Sequence, residues 1–143
     1  RMESGFLHWG HDISPEENQH EAGLNFAISY KKETDFIGKK SLLKIKDKKL
    51  KKRFIMLSLK DNIPGAPLLL HEEPIYLENE IIGRTTSGNY SFNFKKNLSF
   101  GYISSKFSNE ELANKTLFIE VAKEKYQAVI ETKPLKSKNI RLK

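Results

Sequence analysis

The spacing of apolar residues changes character near residue 50. Beyond it, short β-type runs alternate with turn-forming clusters: FIMLSL (54–59), PIYL (74–77), EIIGRTTS (80–87), LSFGYI (98–103), LFIEVA (117–122) and YQAVIE (126–131). Two prolines and a glycine at 62–67, Glu78-Asn79-Glu80, and Lys123-Glu124-Lys125 separate these runs as hairpin connections require. Six such strands predict a small antiparallel barrel or sandwich. Gly38 to Lys52, with Leu42, Leu43, Ile45 and Leu50 among lysines, predicts a connector helix with a narrow apolar stripe. Ser108 to Ala113 predicts one helical turn, with Ser108 as N-cap and Glu111 three residues on. Ser14-Pro15-Glu16-Glu17 has the same capping order and predicts another turn.

Composition narrows the class. At 143 residues and 38% hydrophobic content the chain suits one compact domain, or one domain plus a piece of another. The opening RMESGFLHWG reads as the interior of a folded protein, so a part of a longer chain is expected. The absence of cysteine excludes disulfides and thiol nucleophiles and points to a reducing, cytoplasmic setting. No apolar run approaches the roughly 18 to 20 residues that span a bilayer, so no membrane partner is expected, and the sequons at Asn89, Asn97 and Asn114 are read as chance.

The net charge of +7 invites a nucleic-acid reading, but its distribution argues otherwise. Residues 31–53 hold eleven Lys/Arg against three acids, whereas residues 1–30 carry −4. A basic stripe beside an acidic lobe differs from a uniformly cationic binder, so an RNA-binding barrel stands only as a third reading. Other chemistries fare no better. His8 and His11 in HWGHD lie three apart around a glycine, without the HExxH helix or thiol support, and no metal is assigned. No serine lies in a GxSxG elbow, and GRTTSG (83–88) lacks the order of a phosphate loop. That segment is read instead as a strand with a glycine bulge and a Thr/Ser-rich turn. HWGHD is read as a turn with Trp9 packed beneath it, ligand contact being the alternative.

Several segments together resemble one family. RMESGFLHWGHDISPEE (1–17), EAGLNF (21–26) and DFIGKKSL (35–42) are similar to the glycine cleavage T-protein family, and within it to the C-terminal part of the sarcosine and dimethylglycine dehydrogenases. EPIYLENEIIGRTTSG (73–88) resembles that family's hairpin and T-S-G turn, NLSFGYI (97–103) its next strand, and YQAVIETKPL (126–135) its closing strand.

The resemblance implies a mainly β, α+β architecture. Residues 1–50 would be the end of an α/β folate-binding domain, and residues 51–143 a Greek-key antiparallel β-barrel. It implies that Glu3 accepts the donor pair of a pterin, for which a carboxylate is suited. The family's tail-binding arginine falls at Lys32, which offers a point charge in place of a planar fork, with Lys31 as the alternative. Where the aminomethyltransferases carry a folate-contacting tyrosine, this chain has Ile140 beside Arg141. The expected folate-binding set is therefore Glu3, Lys32, Trp9 and Arg141, with no catalytic residue, because the family's active aspartate lies upstream. The implied cofactor is tetrahydrofolate, with FAD in an N-terminal part. The implied enzyme oxidises a small N-methyl amine such as sarcosine or dimethylglycine and passes the one-carbon unit to folate, so this chain alone is expected to be inactive. A plain glycine-cleavage aminomethyltransferase is the alternative, against which HWGHD argues.

Overall fold

Alternation along the first strand sets up two separate cores. The computed structural model describes residues 1–61, 63–113 and 115–135. Strand β1 (Lys52–Leu59) sends Ile55, Leu57 and Leu59 into one cluster and Met56, backed by Phe54, into another. The first cluster gathers Ile75, Leu77, Ile103, Leu117 and Ile119 from other strands and fills a barrel interior. The second lies on the outer face, where Met2, Leu98 and Phe100 join Met56.

The barrel closes in the order β1-β4-β3-β2-β5-β6, with every pairing antiparallel. Here β2 is Pro74–Leu77, β3 Glu80–Ser91, β4 Lys96–Ser104, β5 Leu117–Val121 and β6 Glu124–Glu131. A long connection leads from β1 to β2, hairpins join β2, β3 and β4, and β4 returns beside β1. This is the expected Greek key. Closure gives each of the strands β1 to β6 a partner on both sides among the described residues. Helix α1 (Lys39–Ile45) precedes the barrel, and α2 (Asn109–Ala113) bridges β4 to β5. Ser108 and Glu111 cap α2 reciprocally, each side chain meeting the other's backbone N–H at 3.1 and 2.6 Å. No helix among the described residues is long and apolar enough to cross a membrane.

Both faces of β1 and β4 are buried because the first two dozen residues coat the outer one. Phe54 N donates to Glu21 O at 2.8 Å, and Lys52 pairs with Glu17 at 2.5 Å. Only half of the expected capping box forms at Ser14: the Glu17 carboxylate accepts from Ser14 N and from its hydroxyl, but Ser14 Oγ accepts from Glu16 N and not from Glu17 N, and the segment closes a turn rather than starting a helix. Double burial explains why FIMLSL and NLSFGYI are continuous apolar runs and not an alternation.

Three local expectations are corrected. Helix α1 stops at Ile45 instead of running to Lys52, because Leu42 and Ile45 stay half-exposed and Leu43 exposed. A short lysine-rich helix with no apolar surface to cover gains little from propensity alone. The β5–β6 connection falls on Ala122-Lys123, both at positive φ, one step before the expected turn. Thr86-Ser87-Gly88 is not a turn: β3 continues through it to Ser91 with a bulge between Thr85 and Ser87. The Asn97 sequon is buried, and its amide donates to Ile63 O at 3.1 Å across one end of the barrel.

Gly88 is required by close approach. A Cβ there would lie 2.4 Å from Leu69 Cβ and 2.5 Å from its carbonyl carbon, inside van der Waals contact with a buried residue. Gly88→Ala is expected to lower unfolding free energy by about 1–3 kcal/mol in urea titrations, the scale of core overpacking; a change under about 0.5 kcal/mol would contradict the packing described.

Ion pairs that tie the coat and the barrel wall make a pH prediction. Burial alone would raise Glu17, but Lys52 and Ser14 outweigh it, and Lys96 and Ser58 do the same for Glu131, so both carboxyls titrate below the ordinary value of 4.5. A group depressed in the folded state stabilises it above the unfolded pKa and loses that contribution as pH falls through the folded one. Thermal midpoints should be level above about pH 5 and decline below about 4.5, and Glu131→Gln should make that acid decline shallower.

Candidate functional site

The opening segment is held to the barrel by one buried charge. Asp12 is fully buried, and its carboxylate accepts from His8 N at 2.8 Å, Arg1 Nη1 at 2.8 Å and Thr86 Oγ1 at 2.6 Å. Its carbonyl accepts from the Tyr102 hydroxyl at 2.8 Å. Burial pushes that phenol well above its usual range, helped by Glu17, Asp12 and Glu21, so Tyr102 remains a neutral donor. Arg1 also donates to Ser87 Oγ at 2.7 Å and to Phe6 O at 3.0 Å, with its guanidinium 5.7 Å from the Phe100 ring centre.

The bulge in β3 makes this possible. Thr85 pairs with Gly101 on the interior side, and after the shift Ser87 pairs with Phe100, which faces outward. One extra residue thus puts two consecutive hydroxyls, Thr86 and Ser87, on the outer face, where one serves Asp12 and the other Arg1.

Next to this anchor lies Glu3. A short 3-10 turn, Met2–Ser4, ends on Gly5 at φ 73, buries Met2 in the outer cluster and turns Glu3 toward the β3–β4 hairpin. Ser91 Oγ donates to Glu3 Oε1 at 2.5 Å, and Asn93 Nδ2 to Oε2 at 2.8 Å. These two hydrogen bonds, Ser91 first, hold the carboxyl below its usual pKa and so ionised at neutral pH. Glu3 lines a cleft of about 310 Å³ with Arg1, Gly88, Tyr90, Ser91 and Leu98. A carboxylate has about four lone-pair directions; the Ser91 hydroxyl and the Asn93 side-chain amide each take one, on different oxygens, and the Asn93 backbone N–H also bears on the group. Acceptor capacity remains for a ligand donor in the cleft that Glu3 lines.

The other expected site residues do not join Glu3 in this cleft. Lys32 is exposed on a turn, and its carbonyl accepts from Lys39 Nζ at 2.9 Å. Trp9 is 68% exposed, which corrects the packed reading: the space beneath the turn is taken by the Asp12 side chain and its hydrogen bonds to His8 N, Arg1 and Thr86. Lys31 is exposed as well. Arg141 and Ile140 lie outside the described residues. His8 and His11 sit with ring centres 4.8 Å apart, and among the described residues no three His, Cys, Asp or Glu side chains are placed to hold a metal.

Sequence reasoning missed two features. Asp12 is one of five acids in the first thirty residues, and nothing in local spacing names partners more than seventy positions away. A larger, mostly apolar cavity of about 570 Å³ runs between Phe6, Leu24 and Phe26 on the coat and Arg53, Met56 and Ile130 on the barrel. It is assembled from separate segments, with no motif that could have announced it.

A closed six-stranded antiparallel barrel, coated on one wall by a segment anchored through Arg1 and Asp12, defines the class. The family described as glycine cleavage T-protein C-terminal barrel domain matches residues 52–136, and the chain belongs to it. Among its relatives, human mitochondrial dimethylglycine dehydrogenase is 35% identical over 136 residues, covering 94% of this chain and 15% of that protein. The aminomethyltransferase of Alkaliphilus metalliredigens is 33% identical over 139 residues, covering 97% of this chain and 36% of the relative. The crystal structure of aminomethyltransferase T from Bartonella henselae has the same fold, with a TM-score of 0.79 at 21% identity over 95% of this chain and 37% of that one. These relatives are enzymes by name, and the chain spans only a minor part of each.

Removing the Asp12 carboxylate leaves His8 N, the Thr86 hydroxyl and the part-buried Arg1 without their acceptor. Asp12→Ala should therefore destabilise the protein by about 2 kcal/mol in chemical unfolding, and a loss below about 0.5 kcal/mol would show that the network is not what fixes the coat.

Proposed function

We propose that this chain is the folate-side end of a one-carbon transfer enzyme, residues 1–50 completing a folate-binding domain and residues 51–143 forming the barrel. The observation that carries the reading is Glu3: an ionised carboxylate, fixed by Ser91 and Asn93 at the edge of a cleft and with acceptor capacity to spare. A pterin's amino group and adjacent ring N–H form a donor pair that a carboxylate is suited to accept. Tetrahydrofolate, when bound, supplies the nitrogen that takes up the one-carbon unit. This chain's part is to hold and orient the pterin so that transfer is effectively intramolecular, with Lys32 and Arg141 assigned to the anionic tail and Trp9 to an apolar contact.

The likeness to dimethylglycine dehydrogenase supports a whole protein that oxidises a small N-methyl amine with FAD held outside this chain. The likeness to an aminomethyltransferase supports a second reading, in which the one-carbon donor arrives as an aminomethyl group. Bleaching of a bound flavin by dimethylglycine or sarcosine in the full-length protein selects the first; a protein without flavin selects the second.

Calorimetric titration of the full-length protein with tetrahydrofolate should show binding that Glu3→Gln weakens by at least about 1 kcal/mol, or about fivefold. Unchanged affinity in that variant would overturn the pterin role.

A further inference from the structure

The Glu3 carboxylate does not orient itself. Its two partners come from a hairpin almost ninety residues away in sequence, and each contacts a different oxygen. Ser91 is buried, and its Oγ accepts from Phe94 N at 3.1 Å. A hydroxyl has a single proton, and here it goes to Glu3 Oε1. Asn93 is exposed, and only its amide nitrogen can face an ionised carboxylate as a donor. With one donor, a carboxylate turns about its final bond; with one on each oxygen it is held in a single plane.

The hairpin is built to keep that plane. Ser91 pairs with Lys96 across a four-residue loop, Phe92 to Lys95, in which Lys95 takes φ 51. Tyr90, which lines the cleft, meets Phe92 edge-on with ring centres 5.1 Å apart.

We propose that Ser91 and Asn93 are positioning residues for the ligand site, fixing the plane of the Glu3 carboxylate so that its remaining acceptor capacity faces a planar donor pair. The barrel then contributes to affinity through its β3–β4 hairpin, although the ligand-contacting carboxylate belongs to the segment that coats it. This rests on the reading of Glu3 as the pterin acceptor and adds what sets its strength.

The test is a double-mutant cycle on the full-length protein, titrated with tetrahydrofolate. Asn93→Ala removes an exposed side chain and should leave the thermal midpoint unchanged while weakening binding about fivefold, the scale of one ordinary hydrogen bond. Ser91→Ala should act in the same direction. In a Glu3→Ala background, Asn93→Ala should have no further effect, because the group it positions is gone. Normal affinity in Asn93→Ala with weakened binding in Glu3→Ala would overturn this inference and leave the pterin role standing. An equal loss from Asn93→Ala in both backgrounds would also overturn it, by showing that the hairpin acts independently of Glu3. Undiminished affinity in Glu3→Ala itself would remove the reading on which it rests.

Discussion

A carboxylate with no access to water must find its whole solvation inside the protein, and Asp12 is in that position. The donors come from three places: the backbone of its own turn, the guanidinium of Arg1 and the hydroxyl of Thr86. Satisfying that one group brings the opening segment, a turn eleven residues on and the middle of β3 to a common point. A half-satisfied version would be worse than an apolar substitute, so the arrangement is all or none. Met2 falls into the outer cluster, and Glu3 reaches the hairpin, because Arg1 is already committed.

The coat and the barrel then share a wall. Interior residues of β1 belong to the barrel core, and the alternate ones, Phe54 and Met56, belong to the coat. The outer cluster, which joins Met2 to Met56, Leu98 and Phe100, loses its packing if the coat leaves. Gly88 and Gly101 work on the inner side of the same wall, where backbone or side-chain atoms stand closer than a Cβ permits. A cleft placed at the junction of the two layers inherits rigidity from both.

Much of the barrel was legible because strands and turns announce themselves locally. All six strands begin or end within a few residues of the apolar runs, and the reciprocal cap of Ser108 and Glu111 forms as its spacing requires. What failed was what depends on distant partners. The length of α1 depends on whether a surface exists to cover its stripe. Thr86-Ser87-Gly88 has turn-like composition, yet its hydroxyls are there to serve Arg1 and Asp12. Glu3 was singled out by resemblance alone, since neither Ser91 nor Asn93 bears any sequence relation to it, and Trp9 was placed inside a turn whose underside is polar.

The bulge at Thr86 has a bearing on how the chain can vary. In a strand, one residue more or less reverses every side chain beyond it. Here the extra residue is already spent, and residues 87–91 face as they do only because of it. Substitutions along β3 are local events, whereas a change in its length between Thr85 and Ser87 is a global one: it would turn Ser91 from Glu3, Ser87 from Arg1 and Gly88 from Leu69 together. Length, more than composition, is what this strand's geometry demands.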